Sequence, residues 1–241
     1  LPTPEENLAL DEALLLEAEE HCSSQSNPPD SCPVECLRFW ESAAHFVVLG
    51  AGGHFRDEAH WQACKIDAIP ILRRDSGGGT VLQGPGCLNY TLILDTRWRP
   101  ECAEIAGTNR FVLGKLLSVL RRRWPAATWR GTSDLALGDK KFCGTAQRRK
   151  RRHILFHGAI LYDFDLDLME RYLKHPPKEP DYRGRRPHCE FVTNLDASPS
   201  ELRSYIAEAW GAEEATTEFP AQRVRLLVAE KYSRPEWNEK F

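Results

Sequence analysis

Several common protein classes are excluded by what this sequence lacks. No apolar run approaches the roughly 20 residues that a helix needs to span a bilayer. The 241 residues carry 32 Lys and Arg against 35 Asp and Glu, a formal charge of −3. There is thus no basic excess to give general affinity for nucleic acid or a membrane surface. The opening Leu1-Pro-Thr-Pro-Glu-Glu6 has no apolar core and does not read as a signal peptide. Glycine-rich segments are present, yet no Gly-Lys-Ser/Thr follows them and the Gly-x-Gly-x-x-Gly spacing is absent, which rules out a P-loop and a dinucleotide fold. Asp163-Phe-Asp-Leu-Asp167 begins like a calcium loop, but its sixth and twelfth positions are Leu168 and Lys174 rather than Gly and Glu. No internal repeat is visible.

Cysteine is not scarce, but it has no pattern. The eight cysteines stand at 22, 32, 36, 64, 87, 102, 143 and 189, and only Cys32 and Cys36 are close. A lone Cys-x3-Cys gives little support to a zinc site. The thiols are expected to be reduced, small buried hydrophobes in a cytoplasmic protein. Hydrophobic residues at 41% and charged residues at 28% suit one sizeable globular core.

Local patterns predict the elements. Thr3, Pro4 and Glu6 form an N-cap, a first helical proline and a capping box for a helix running to about residue 20. Residues 23–35 read as a loop. Cys36–Trp40 and Phe46–Leu49 are short β-prone runs that predict a hairpin, followed by Gly50-Ala-Gly-Gly53. Helices are expected over 56–66 and, from Ile105, Val112, Leu113, Leu116, Leu117 and Leu120, within 101–124. Stretches 127–130, 135–137, 141–146 and 153–162, broken by Gly131, Gly138 and the basic run Arg148–Arg152, predict an antiparallel sheet. The basic run reads either as a solvated turn or as a patch that steers an acidic partner. Further helices are expected over 166–174, from Ser198 to Trp210, and over 223–232. Residues 175–190, with four prolines, read as a long loop of the kind used as a lid. Helices flanking a mixed, largely antiparallel sheet make the fold class α+β.

The chain is organised around Arg73-Arg-Asp-Ser-Gly-Gly-Gly-Thr80. A β-like run delivers two arginines into three glycines, and a second turn, Gly84-Pro-Gly86, follows before the next strand. Glycine backbone reaches φ > 0 and approaches ligands closely. Successive N–H groups in such bends form anion-binding concavities, and arginine adds planar donors for carboxylate or phosphate. A second constellation, Ser133-Asp134 … Lys141-Phe-Cys-Gly144-Thr145-Ala146-Gln, places a lysine on a strand between an Asp-containing turn and a glycine.

Together these motifs resemble the lipoate–protein ligase A family, relatives of biotin–protein ligases. The family carries Arg-Arg-x-Ser-Gly-Gly-Gly, then Asn-Asp … Gly-x-Lys-x-x-Gly-x-Ala, then His-His-Gly-Thr, matched here by Phe156-His157-Gly158-Ala159. Three motifs in order cover about residues 70–165, with weaker likeness at the first helix and at the closing Glu230–Asn238. Gln83, Ser133, Phe156 and Ala159 depart from the usual His, Asn, His and Thr.

The resemblance implies a class II aminoacyl-tRNA synthetase/biotin synthetase-like fold and a single catalytic domain over 1–241 without a separate accessory domain. It implies that lipoate or octanoate is joined to AMP at the expense of ATP with Mg²⁺, and that the acyl group then passes to a lysine of a lipoyl-domain acceptor. Such acceptors are the acyltransferase component of a 2-oxoacid dehydrogenase or the H protein of glycine cleavage; an accessory subunit is a further expected partner. Carried over residue by residue, Lys141 and Asp134 are catalytic, with Asp134 also a candidate Mg²⁺ ligand. Arg73, Arg74, Ser76, Gly77, Gly78, Gly79, Thr80, Gly144, Thr145, Ala146, His157 and Gly158 bind acid or nucleotide.

Two other readings stand beside this one. An octanoyltransferase would use a cysteine thioester, with Cys143, expected on the strand face of Lys141, or Cys87 as nucleophile. A non-catalytic acyl-binding partner would use the pocket alone, which retention of Lys141 and both arginines argues against. Biotin ligases usually show Gly-Arg-Gly-Arg-x-Gly instead of the loop present here.

Overall fold

The computed structural model describes residues 1–24 and 35–241. Most of the loop expected over 23–35, with Cys32 in it, lies outside them. The first half comprises α1 (Pro4–Ser24), β1 (Cys36–Trp40), β2 (Phe46–Leu49), α2 (Phe55–Glu58), α3 (Trp61–Ile66), β3 (Ile71–Arg73), β4 (Val81–Gln83), β5 (Cys87–Asp95) and α4 (Ile105–Leu120). The second comprises β6 (Ala127–Arg130), β7 (Asp134–Leu137), β8 (Lys140–Arg149), β9 (His153–Leu161), α5 (Asp167–Tyr172), α6 (His188–Phe191), α7 (Pro199–Trp210), α8 (Ala221–Leu227) and α9 (Pro235–Asn238).

β5 is buried at all nine positions, because both faces of its sheet are covered. It lies in a six-stranded antiparallel sheet of order β1-β5-β9-β8-β7-β6. On one face Leu88, Tyr90, Leu92 and Leu94 meet Val112, Leu113, Leu116 and Leu120 of α4 and Leu202 and Ile206 of α7. On the other, Ile93 and Leu155 pack against Leu15 and Ala18 of α1. A smaller sheet, β3-β2-β4, is parallel between β2 and β3 and antiparallel between β2 and β4. It shares cores with α1 and α8 and with the β9–α5–α6 region. The structure is therefore α+β with a mixed, largely antiparallel arrangement.

Side-chain N-caps close α1 and α7, whereas α5, with Leu166 at its N-cap position, has none. Thr3 Oγ1 accepts from Glu6 N at 3.2 Å while Glu6 accepts from Thr3 N, and Ser198 Oγ accepts from Glu201 N at 3.1 Å.

Two local expectations are corrected. β1 and β2 do not form a hairpin but belong to different sheets, β1 pairing with β5 and β2 with β3 and β4. Phe46–Leu49 is buried at every position, and a central strand with two neighbours satisfies its backbone where a two-stranded hairpin would leave an edge. The helix over 56–66 is split into α2 and α3. At the break Ala59 is extended and bridges to Leu173, and His60 N donates to Tyr172 O at 2.9 Å. These long-range backbone bonds override local helix propensity. Among the described residues no helix is long and apolar enough to cross a membrane.

Candidate active site

The lysine of the second motif owes its position to a β-bulge. Asp134 opposes Gly144 and Leu135 opposes Cys143, but Ala136 opposes Lys141, so the register shifts by one residue at Phe142. Strict alternation would put Lys141 on the face of Cys143; the extra residue turns it to the opposite face. There Lys141 Nζ lies 2.7 Å from Asp134 Oδ1. Gly144 gives it room, since a Cβ there would stand 2.8 Å from Lys141 Nζ and Cε. Gly144→Ala is therefore expected to displace the ammonium, reducing turnover by up to about 10²-fold with little change in Tm, as measured by paired kinetics and thermal melts.

The two arginines of the glycine loop serve different ends from those expected. Arg73 is fully buried and does not reach the cleft. Its guanidinium donates to the carbonyls of Gly50 (3.0 Å), Gly53 (2.7 Å), Trp237 (2.8 Å) and Asn238 (3.0 Å), while its backbone N–H donates to Asn238 Oδ1. A cation whose donors are satisfied by backbone carbonyls ties the loop to the 50–53 turn and to the C-terminal segment; it is not a ligand group. Gly50 belongs to the same knot, since a Cβ there would stand 2.0 Å from the Gly78 carbonyl oxygen.

Arg74 does border the cleft, but its donors hold the loop's own oxygens: Ser76 Oγ (3.0 Å), Gly77 O (2.7 Å), Gly79 O (2.9 Å) and Val48 O (3.3 Å). Burial pushes its pKa down to about 10. Gly78, at φ +91°, and Gly79 line the cleft, whereas exposed Gly77 does not. Thr80 lines it too, with its hydroxyl already donated to Glu58 at 2.7 Å.

Ser76 also departs from expectation. It is almost wholly buried, and its hydroxyl shares a 2.6 Å hydrogen bond with His157 Nε2. His157 Nδ1 lies 3.7 Å from Asp11 of α1, which also meets Arg38 at 2.5 Å and Thr91 Oγ1 at 2.9 Å. Asp11 is held below the usual carboxylate range: burial raises its pKa, but the Arg38 charge and the bonds from His157 and Thr91 outweigh that. Ser76 is thus a latch between the glycine loop and β9.

These elements enclose a polar cleft of about 310 Å³, bordered by Arg74, Gly78, Gly79, Thr80, Asp134, Lys141, Gly144, Thr145, Ala146, His157 and Gly158. Eleven of the fourteen residues expected at the site thus converge; Arg73, Ser76 and Gly77 do not. An apolar cavity of about 120 Å³, lined by Leu82, Leu161, Met169, Leu173, Phe191 and Val192, shares Thr80, Lys141, Gly144 and Arg183 as walls with the cleft.

Sequence reasoning missed several residues here. The segment expected as a loop over 175–190 lines the cleft through Pro176, Lys178, Glu179, Pro180 and Arg183, and Tyr182 Oη donates to Asp134 Oδ2 at 2.8 Å. Its prolines and length were the available signal. Trp40 Nε1 and Gln83 Oε1 are buried at the cleft wall without protein partners.

The candidate thiols, though both border the apolar cavity, are poorly suited to nucleophilic work. Cys143 belongs to the core between the large sheet and α4, not to the face of Lys141, and burial pushes its pKa up to about 12. Cys87 packs with Leu82, Leu161 and Met169 at the apolar cavity, is buried, and burial raises its thiol as well. The six described cysteines are free. At Asp134 a Mg²⁺ would have one protein carboxylate and would draw its other ligands from nucleotide phosphates and water. Its two carboxylate oxygens each accept one hydrogen bond, from Lys141 and from Tyr182, and among the described residues no cluster of three His, Cys, Asp or Glu could hold a metal by itself.

Comparison with known proteins agrees with this architecture. Residues 3–205 match the lipoyl protein ligase A/B catalytic domain. A probable lipoate-protein ligase A of Mycoplasma pneumoniae is 28% identical over 215 residues, covering 85% of this chain and 62% of the relative. The chain spans only 40% of a second such relative, from Mycoplasma genitalium. Among solved structures, a bi-partite lipoate protein ligase studied with its E2 lipoyl domain from Thermoplasma acidophilum superimposes with TM-score 0.78 at 26% identity, covering 99% of this chain and 94% of that one. A lipoate-protein ligase A bound with ATP gives 0.77 at 25% identity, with 98% and 94% covered. This chain belongs to the lipoyl protein ligase A/B catalytic domain family.

Proposed function

We propose that the chain is the catalytic domain of a lipoate–protein ligase that activates lipoate or octanoate as the acyl-adenylate and transfers the acyl group to a lysine of a lipoyl domain. The observation that carries this reading is the Lys141 ammonium standing where a polar cleft meets an apolar cavity. A medium-chain acid has one apolar and one anionic end, and such a junction receives both. The carboxylate oxygen attacks the α-phosphorus of ATP, and pyrophosphate leaves. Two anions approach each other in this step, so a fixed cation at the junction stabilises the developing charge. Mg²⁺ belongs to the nucleotide substrate as its counter-ion. Gly78 and Gly79 bring backbone to the cleft for the phosphates. In the second step the neutral amine of the acceptor lysine attacks the acyl carbon and AMP leaves, so no protein nucleophile is required.

The Mycoplasma relative's name and the ATP-bound relative support this reading, and the Thermoplasma system supports a lipoyl-domain acceptor and an accessory subunit. With ATP, Mg²⁺, lipoate and a purified lipoyl domain, intact-mass measurement should show the domain gaining one lipoyl group. Gain only from an acyl thioester donor, never from free acid with ATP, would favour a transferase. Cys143→Ser should leave activity intact under the ligase reading, because that thiol faces the core and stays protonated.

A further inference from the structure

The glycine-loop arginines are engaged with protein oxygens, so the charge that meets the acid must come from elsewhere. Among the described residues, Lys141 and Arg183 are the two cations that border both the polar cleft and the apolar cavity. Arg183 comes from the segment between α5 and α6 and is only 4% exposed. Its guanidinium lies 4.9 Å from the centre of the Phe191 ring. Its Nε donates to Arg186 O at 3.0 Å and stands 3.4 Å from Glu179 Oε2. Its Nη2 is buried and has no hydrogen-bond partner. A buried guanidinium nitrogen left without an acceptor is costly and calls for an explanation. The end of α6 runs beside the lysine, where Thr193 N donates to Lys141 O at 2.9 Å and Val192 bridges to Lys141, and Arg183 stands over Phe191 of the same helix.

We propose that Arg183 binds the carboxylate of the acyl substrate, forming with Lys141 a two-cation clamp at the mouth of the apolar cavity. This rests on the ligase reading and assigns the acid's headgroup within it. The carboxylate is favoured over a nucleotide phosphate because Arg183 shares the apolar cavity with Phe191, Val192 and Met169, where the acid's chain would lie. Guanidinium donates to a carboxylate through two parallel N–H groups, a geometry that lysine cannot reproduce. In that clamp the carboxylate would be the acceptor that Nη2 lacks.

The test compares wild type with Arg183→Gln and Arg183→Lys, using calorimetric titration with lipoate, with lipoamide, which has the same chain and no charge, and with AMP. Circular dichroism and thermal melts accompany each variant. Arg183→Gln should weaken lipoate binding on the order of 10- to 100-fold, the worth of a charge-assisted hydrogen bond, and leave lipoamide and AMP unchanged; Arg183→Lys should recover part of the loss. Equal loss of lipoate and lipoamide, with or without a fall in Tm, would make Arg183 a structural residue and overturn the proposal. Selective loss of AMP would move the contact to the phosphate and also overturn it. Unchanged lipoate affinity would refute the clamp while the ligase reading stands. Failure of wild type to bind lipoate or octanoate at all would instead count against the ligase reading.

Discussion

Lys141→Ala is expected to abolish adenylate formation while leaving the protein folded. The ammonium is partly exposed, and it pairs with Asp134, which keeps the Tyr182 hydroxyl when the lysine is removed. The pair is mostly buried, with side chains 25% and 10% exposed, so removing the ammonium leaves Asp134 with only the Tyr182 hydroxyl and should lower Tm by on the order of 5 °C without unfolding the protein. The loss of rate is a different matter. Taking away one preorganised donor at developing charge costs roughly 10²–10³-fold, and here the donor is a full cation at the point where two anions meet. Single-turnover formation of acyl-AMP measures this directly. Wild-type rates in the variant would remove Lys141 from the mechanism.

Arg73→Ala should behave in the opposite way, losing stability first. The side chain is fully enclosed and holds carbonyls from the 50–53 turn and from Trp237 and Asn238, segments far apart in sequence. Truncation leaves these oxygens unsatisfied and opens a cavity, a loss of about 3–5 kcal/mol by analogy with breaking buried charged networks. For a chain of this size that corresponds to a fall in Tm on the order of 10 °C. Arg73→Lys should rescue little, because a single ammonium cannot reach all four carbonyls that the guanidinium fork holds. Differential scanning calorimetry distinguishes the two outcomes: a stable but inactive Arg73→Ala would return the arginine to the ligand-binding set.

The contrast between these residues shows what the sequence could and could not convey. Arg73-Arg74-x-Ser-Gly-Gly-Gly marks the loop, and the loop is at the cleft, but nothing local says which of its side chains face inwards. That depends on Trp237 and Asn238, 164 and 165 residues away, which capture Arg73. Lys141 and Cys143 looked like neighbours on one face because strands alternate; the bulge at Phe142 is set by pairing with β7 and has no local signature.

The long antiparallel strands β5 and β9 were legible because apolar runs bounded by glycine or charge carry their own period; β8 was legible only over 141–146, since its largely polar sequence continues through Gln147, Arg148 and Arg149 into what reads as a basic turn. The hairpin expected from β1 and β2 was not, since strand partners depend on long-range contact. Arg183 and Tyr182 stood in a proline-rich segment with no regular pattern, and only its path across the cleft gives them meaning.

Acid-dependent exchange of labelled pyrophosphate into ATP tests the central claim most directly. With purified protein, ATP, Mg²⁺ and either lipoate or octanoate, exchange should appear when the acid is added and vanish in Lys141→Ala. No exchange at saturating acid and ATP, together with an acyl group trapped on a cysteine after exposure to an acyl thioester donor, would contradict adenylate chemistry at this site.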